Sequence, residues 1–452
     1  MAKNLTHDMT LGNPTGLLLK FSVPMLIGNL FQQVYNMADA VVVGNYVGKD
    51  ALAAVGTTGP ISFFIFALAL GLSAGISIII SQYFGAKDEE NVKKGFATAA
   101  YTVIGASLIM GVLGVIFSRP LLQLLNTPER IIDQAVIYLR ITSFGIVFIG
   151  AYNGMASILR ALGDSLSPLY FLIVACLMNI VLDLIFVVVF HWGVAGVALA
   201  TIISQFVAAL GCIIFAIKKV KILNMPLKEF VPDKAIFKKC LALGIPVAIQ
   251  NSFVSLSTMA LQSVINGYGE TIMAAATAAS RIEQLILQPG MSIGAAVAAY
   301  TGQNIGAGKI ERVKQGFKSS TKIILIFSFI MLPMVYFGGG LIMDLFTSTS
   351  DKDVMEIGIQ ALRVPCFFYS FVGMIFVTRN LLSGAGDVKI PMIMGLTEVI
   401  CRVLFANILS TIFGYHGIWW ATGLTWMLTC FVGLSRYFSG KWKNKSIISM
   451  NA

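Results

Sequence analysis

Charged residues are scarce in this sequence. Only 12% of its 452 residues are Asp, Glu, Lys or Arg, whereas 57% are hydrophobic, and the mean hydropathy is +0.83. A soluble domain carries roughly 25% charged residues. The shortage of charge therefore argues against a water-soluble fold and indicates an integral membrane protein.

Paired cysteines and a cleavable leader are also missing. The six cysteines contain no CxxC pair, so we expect neither a disulfide framework nor a cysteine metal site. The opening residues, "MAKNLTHDMTLGNPTG", lack the apolar core and small-residue cleavage site of a signal peptide. Only three histidines occur, all at predicted membrane edges, with no accompanying nucleophile or metal set. We therefore expect no enzyme and no cofactor.

Long hydrophobic runs dominate what is present. Most of them exceed the ~20 residues that a helix needs to cross the hydrocarbon core of a bilayer. The sequence therefore predicts an all-α integral membrane protein with 12 transmembrane helices, at residues 16–44, 51–83, 92–117, 131–160, 166–190, 193–220, 236–265, 271–305, 312–345, 354–383, 387–413 and 416–440.

The net charge of +11 is distributed as in a membrane protein, not as in a nucleic-acid binder. When the spans alternate across the membrane, most Lys and Arg residues fall on one side. Such an excess marks the cytoplasmic face. We expect both termini in the cytoplasm, in a cell (inner, cytoplasmic) membrane, and no nucleic-acid partner. The outer loops hold Lys49, Arg119, Arg130, Lys352 and Arg363, and the spans hold Arg140, Arg281 and Arg402.

The chain repeats itself at an offset of 221 to 223 residues. "SQYFGAKDEENVKKGF" (81–96) aligns with "GQNIGAGKIERVKQGF" (302–317), and "LGDSLSP" (162–168) aligns with "AGDVKIP" (385–391). Each half holds an even number of spans, so the halves are parallel repeats, an architecture that recurs in transporters. We predict two pseudo-symmetric six-helix bundles, an N-lobe at 1–218 and a C-lobe at 239–452, joined by a cytoplasmic linker at 219–238.

Two carboxylates break this repeat. Asp39 aligns with Leu261, and Asp183 aligns with Ala406. Counted from the outer ends of their spans, Asp39, Asp183 and Thr201 lie roughly 8–12 Å deep, at 1.5 Å per residue. Asn179 precedes Asp183 by four residues and therefore shares its helix face. The N-lobe is thus expected to gather four oxygen-bearing side chains at one level.

Such a cluster predicts cation binding. Two neighbouring carboxylates in a medium of low dielectric constant cannot both stay ionised without a counter-charge, so one takes a proton or a cation binds. Asn179 and Thr201 add neutral oxygens that suit Na⁺. The alternative is that both carboxylates only accept hydrogen bonds that fix helix packing. The predicted coupling site, for H⁺ or Na⁺, is Asp39, Asn179, Asp183 and Thr201.

Other intramembrane polar or large side chains are candidates for a substrate cavity. Some share a helix face with Asp39, some lie on the fourth and fifth spans, and Glu283 of the eighth span could meet a cationic substrate. Each is open to a packing role instead, and Glu398 and Arg402, four residues apart, are expected to neutralise each other. The cavity candidates are Gln33, Asn36, Tyr138, Asn153, Met178 and Glu283.

Four stretches of the chain resemble the MATE (multidrug and toxic compound extrusion) transporters. They are "MADAVVVGNYVGKDALAAVG" (37–56), "QYFGAKDEENVKKGF" (82–96), "RALGDSLSP" (160–168) and "NIVLDLIFVVVFHWGVAGVALATIISQ" (179–205). The N-lobe pattern is similar to the DinF-like branch, in which Asp, Asn, Asp and Thr of the N-lobe carry coupling. In other branches the seventh span holds an acid, whereas residues 244–265 here hold none.

The resemblance implies two lobes around a V-shaped cleft and an antiport function. H⁺ or Na⁺ would enter down its gradient while an amphipathic, often cationic, compound leaves by alternating access. A flippase for lipid-linked precursors shares the fold, and a passive channel is the alternative of a different class. The expected partners are small amphipathic or cationic molecules and the lipid bilayer, and the protein is expected to be a monomer.

Overall fold

The protein is helical throughout the part that the structure describes. A computed structural model describes residues 6–125, 127–346 and 352–448, which form thirteen α-helices and no strand. The predicted fold class is therefore confirmed. The helices are Pro14–Val42 (α1), Lys49–Gly85 (α2), Glu89–Leu124 (α3), Glu129–Ala161 (α4), Leu166–Asp183 (α5), Gly193–Lys219 (α6), Lys234–Asn266 (α7), Glu270–Gly306 (α8), Ile310–Phe346 (α9), Lys352–Cys366 (α10), Tyr369–Gly384 (α11), Lys389–Phe413 (α12) and His416–Phe438 (α13).

These helices match the twelve predicted spans with one difference in form. The tenth span is two helices, α10 and α11, bent by 54°. Pro365 lies in the last turn of α10, where it removes a backbone donor and crowds the preceding turn. The corresponding residue of the continuous helix α4 is Thr142. The break thus occurs in the half that carries a proline at this position.

Ten described helices are long and apolar enough to cross a membrane, or eleven if the bent pair is one span. The helix α8 is missing from this set although it has 37 residues. Its interior carries Arg281, Glu283 and Gln284, which lower its mean hydropathy. A charged span of this kind is usually functional, because polar groups are costly in a membrane.

The surface of α9 shows how these helices are solvated. Phe329, Phe337 and Leu341 are 81%, 79% and 76% exposed. Water-soluble monomers rarely expose large contiguous apolar patches, whereas lipid chains solvate such side chains well. The chain is therefore a multi-pass membrane protein.

The described chain divides into two compact units. The first contains Met1–Asp8 and Val23–Ala248, and the second contains Met9–Ser22 and Ile249–Ala452. In the first unit α4 packs against α2, α3 and α6, and α5 packs against α6. In the second unit α8 packs against α9, α10 and α11, and α12 packs against α13. The lobe boundaries drawn from the sequence repeat, at 218 and 239, stay a prediction.

The repeat is visible in the backbone as well as in the sequence. Gly163 and Gly386, 223 residues apart, adopt φ values of +87° and +92° in the turns after α4 and α11. Glycine is favoured at such left-handed positions because it lacks a Cβ atom. An aspartate follows each glycine, and Asp164 accepts a hydrogen bond from the Ser167 backbone at 2.9 Å. Each half thus uses the same turn to begin its fifth span.

The segment between the sixth and seventh spans lies against the first unit. It contains two short 3₁₀-helices, Lys221–Leu223 and Leu227–Glu229. The Tyr101 hydroxyl of α3 donates to the Phe230 carbonyl at 3.3 Å. Asp233 then caps α7 by accepting a hydrogen bond from the Ile236 backbone at 2.8 Å, which satisfies a donor that the first helical turn leaves free.

Candidate functional site

Both carboxylates of the predicted cluster stand where an α-helix changes its winding. Three residues after Asp39 the helix α1 gives way to a π-helical turn, Val43–Val47. Asp183 is the last residue of α5, and the π-helical turn Leu184–Val189 follows it directly. Turns of this kind are rare and occur frequently at functional sites. The first unit therefore departs from regular helix geometry beside its acidic residues.

An apolar cluster lies at the two π-helical turns that follow these carboxylates. Val42 and Val43 of the first span pack with Val187 of the fifth and with Val194 and Val197 of α6. All five are buried, and Tyr138 of α4 packs against them. The cluster holds the two π-helical turns together and fixes the ends of the helices that carry the carboxylates.

The structure brings Asp39 and Asp183 together. Asp183 is completely buried, and the Asp39 carboxyl group lies within side-chain hydrogen-bonding reach of it. Neither oxygen of Asp183 has a donor partner among the described residues. Two carboxylates offer each other no hydrogen, so the pair is bonded only when one carries a proton. A bound cation would also neutralise it.

Asn179 connects the acidic pair to α6. Oriented so that both ends of its amide are satisfied, it donates to Asp39 Oδ1 at 2.8 Å and accepts from the Thr201 backbone N–H at 3.3 Å. Asn179 is fully buried. Since α1, α5 and α6 each supply part of this contact, the amide fixes the Asp39 carboxylate relative to two other helices.

Thr201 participates mainly as a link to a residue that sequence reasoning missed. Its hydroxyl donates to the Val197 carbonyl at 3.1 Å and accepts from the Tyr35 hydroxyl at 3.2 Å. Tyr35 lies four residues before Asp39 and therefore on the same face of α1. The four-residue spacing from Asp39 is the sequence feature that could have indicated Tyr35, but a tyrosine at such a position commonly has a packing role.

The cavity candidates fall into two groups. Tyr138 lies within electrostatic range of both Asp39 and Asp183, so it borders the carboxylate pair. Glu283 lies in the second unit and is not part of that site. The remaining four lie on helices of the first unit, where Gln33 and Met178 are half-buried, Asn36 is exposed, and half-buried Asn153 donates to the carbonyl of Ile149 in its own helix at 2.9 Å.

The assembled groups suit a hard cation or a proton. Carboxylate, amide and hydroxyl oxygens are ligands for such ions, not for soft metals. Within residues 6–125, 127–346 and 352–448, no group of three or more His, Cys, Asp or Glu side chains could hold a metal ion. We call Asp39, Asn179, Asp183, Thr201 and Tyr35 the acidic site.

Comparison with known proteins identifies the family. The MatE family model matches the chain twice, at residues 24–185 and 246–408, which are the two halves of the repeat. The probable multidrug resistance protein YpnP of Bacillus subtilis (strain 168) is 32% identical over 97% of this chain and 98% of its own length. The multidrug export protein MepA of Staphylococcus aureus (strain MSSA476) is 24% identical over 89% of each chain.

Solved structures agree with this assignment. A multidrug resistance MATE family transporter of the MOP superfamily, in an outward-facing conformation, matches with a TM-score of 0.88 and 27% identity, covering 98% of this chain and 99% of that one. The family model matches each half of the chain once, as the sequence repeat predicts. The similarity to the solved structure extends over both halves. The chain belongs to the MatE family, whose members are membrane transporters and not enzymes.

Proposed function

We propose that the protein is a secondary active multidrug efflux transporter that exchanges H⁺ or Na⁺ for an amphipathic, often cationic, compound by alternating access. The observation that carries this proposal is the pair of half-buried Asp39 and fully buried Asp183, for which the described residues supply no donor other than the amide of Asn179. A purely structural pair would be expected to have its charge compensated. The relatives whose names describe multidrug resistance and export support the substrate class.

The acidic site gives a physical reason for coupling. While both carboxylates are charged, they repel each other and favour hydration of the helices that carry them. A proton or Na⁺ removes the repulsion and lets α1, α5 and α6 pack closely. Transport requires that the cation bind more tightly to the conformation that has released substrate. Cation and substrate therefore compete, even where they do not share ligands.

The membrane setting completes the proposal. The chain acts as a monomer in the cytoplasmic membrane with both termini in the cytoplasm, needs no cofactor besides the coupling ion, and uses the N-lobe acids in the manner of the DinF-like branch. The lipid bilayer and small amphipathic molecules are its partners. The most economical use of two parallel repeats is a pathway whose access alternates.

Reconstituted proteoliposomes test the function directly. Movement of ethidium, an amphipathic cation, is followed with an imposed proton gradient, with an imposed Na⁺ gradient and with neither. We expect uphill movement with at least one gradient and none without. Movement that only follows the gradient of ethidium itself would identify a channel. Headgroup-dependent movement of labelled lipid, without ethidium transport, would identify a flippase.

A further inference from the structure

The second unit encloses a cavity that the acidic site does not use. Its volume is about 310 Å³, and its wall comes from α7, α8 and α10 to α13. All of its lining residues belong to the second unit. Four of them are ionisable: Glu283, Arg379, Glu398 and Arg402.

Three of these charged groups form a buried triad. Glu398 accepts from the Arg379 Nη2 atom and from the Arg402 Nη2 atom, each at 3.2 Å. The three side chains are 10% exposed or less. Two guanidinium groups share one carboxylate, so the triad carries an excess of one positive charge. A charge that lacks a hydrogen-bonded counter-charge is expensive in such surroundings.

The arginines also keep donors in reserve. Each forms a single described hydrogen bond with Glu398, although a guanidinium has five N–H groups. The buried Nε atoms of Arg379 and Arg402 have no hydrogen-bond partner among the described residues. An unsatisfied buried donor costs free energy. Two such donors on the wall of one cavity indicate a missing acceptor.

Glu283 does not supply that acceptor. It interacts electrostatically with Arg402, but it forms no ion pair with either arginine among the described contacts, and its Oε1 atom has no partner there. When Glu283 is ionised, its negative charge opposes the entry of an anion. Glu283 therefore sets how strongly the excess positive charge of the triad can attract one.

The rest of the cavity is suited to a flat apolar body. Trp419, Trp426 and Phe376 contribute aromatic walls, and the buried indole N–H of Trp419 has no acceptor in the described part of the chain. Ligand pockets commonly measure about 300–1,000 Å³, so this one is small. Its size matches a ligand that has one aromatic ring or two fused rings and carries one polar group.

We propose that this cavity binds the oxyanion of a small aromatic amphiphile, a carboxylate or a phosphate, between the Nε donors of Arg379 and Arg402. Guanidinium groups recognise both oxyanions through directed, charge-assisted hydrogen bonds. The site goes beyond the proposed exchange of H⁺ or Na⁺, because it lies in the other unit and has the opposite charge preference. It stands or falls independently of transport.

Probes that share one ring system test the charge preference. Purified protein in lipid nanodiscs is titrated calorimetrically with 2-naphthoate, 2-naphthyl phosphate, 2-naphthylmethylammonium and uncharged 2-naphthalenemethanol. We expect saturable binding of an anion at least about tenfold tighter than the uncharged probe, in line with one charge-assisted hydrogen bond. The two anions distinguish a carboxylate site from a phosphate site. Equal or tighter binding of the ammonium or the alcohol would overturn the proposal.

Two variants act in opposite directions on the same measurement. Arg402→Gln should weaken anion binding about tenfold or more, whereas Glu283→Gln should strengthen it several-fold, since it removes a like charge. Arg363→Gln is the matched control, because Arg363 is exposed and donates to the Tyr336 carbonyl outside the cavity. If Arg402→Gln fails to fold, Glu283→Gln and the probe series decide. Weaker anion binding by Glu283→Gln, or unchanged binding by folded Arg402→Gln, contradicts the proposal.

Discussion

The two halves of this protein share a backbone plan and differ in the charge that they bury. In the first half the ionisable pair is half-buried Asp39 with fully buried Asp183, two groups of like sign. In the second half it is a carboxylate between two guanidinium groups, Arg379–Glu398–Arg402. Like charges need an external ion to become stable in a membrane interior, whereas opposite charges neutralise most of each other. This difference is the reason why the proposed cation coupling is assigned to the first half.

The aligned positions of the two halves show that neither half contains the charged side chains of the other half's site. Asn179, which fixes Asp39, corresponds to Arg402, and Asp183 corresponds to Ala406. In the other direction, Arg379 corresponds to Ala156 and Glu398 to Ala175. Arg379, Glu398 and Asp183 each face an alanine at the aligned position, whereas Asp39 aligns with Leu261 and Arg402 aligns with Asn179. The two halves therefore share one repeat and bury different polar side chains in it.

Backbone geometry diverges at the same places. The residues that correspond to the π-helical turn Leu184–Val189 are 407–412, which are α-helical within α12. The second half instead has its irregularity between α10 and α11. Each half therefore combines regular spans with one kind of local distortion, and in the first half the distortion adjoins the carboxylates.

The largest effect is expected when one charge of the pair Asp39 and Asp183 is removed. Asp39→Asn keeps the side-chain shape but cannot be neutralised by a proton or a cation. We expect export driven by a proton or Na⁺ gradient to fall to the level of vesicles without the protein, at normal expression, and Asp183→Asn should behave alike. The measurement is the initial rate of ethidium movement in proteoliposomes.

The repeat supplies the matched control for that experiment. Leu261 corresponds to Asp39 in the second half, so Leu261→Asn places the same amide in the equivalent frame. It should slow export far less than Asp39→Asn does. Gradient-driven export retained by both aspartate variants would reduce the acidic pair to a packing role.

The side of the membrane on which equivalent loops lie is a second test of how the two halves are related. Lys93 and Lys314 are equivalent positions of the two halves, and parallel repeats place both on the cytoplasmic side. In a chain whose six native cysteines are replaced, a single cysteine at either position should resist an impermeant thiol reagent in intact cells and react after permeabilisation. A cysteine at exposed Lys49 should react in both conditions. Ready labelling of one lysine position alone would mean that the halves are inverted.

The sequence predicts the depth and helix face of Asp39, Asn179 and Asp183, because periodicity and depth depend on each helix alone. The spacing of Asn179 and Asp183 and the distance of Asp39 from the end of its span need only a helix rise and an alternating topology. Contacts across helices are different. Tyr35 meets Thr201, 166 residues later in the chain, and no local pattern encodes that approach.

Arg379 illustrates the same limit in the second half. From the sequence it counts among the cytoplasmic positive charges near the end of a span, yet it is 8% exposed and bonded to Glu398. The predicted pair of Glu398 and Arg402 is present in the structure, but a pair four residues apart gives no hint of a third member on α11. The π-helical turns cannot be predicted from the sequence either, because no residue type at those positions requires them.

Substitutions at the two sites should change the stability of the protein in different ways. Glu398→Gln leaves two guanidinium groups without their shared carboxylate and should cost about 3–5 kcal/mol. Asp39→Asn relieves a repulsion and should leave stability unchanged or raise it. Thermal unfolding of detergent-purified protein, without added Na⁺ or substrate, measures both. Equal losses in the two variants would show that the acidic pair is compensated in the same way as the triad.

The smallest effect is expected at Tyr35, where only one hydrogen bond is at stake. Tyr35→Phe removes the donor to Thr201 but keeps the ring, so the tie between α1 and α6 weakens by about 0.5–1.5 kcal/mol. If the tie positions Asp39, the half-saturating concentration of the coupling cation should rise by up to about tenfold, while the maximal export rate changes little. Tyr170→Phe, at a residue that is 62% exposed on α5, is the matched control and should show no shift. An unchanged cation dependence in Tyr35→Phe would limit the acidic site to Asp39, Asn179 and Asp183, with α6 contributing only the backbone of Thr201.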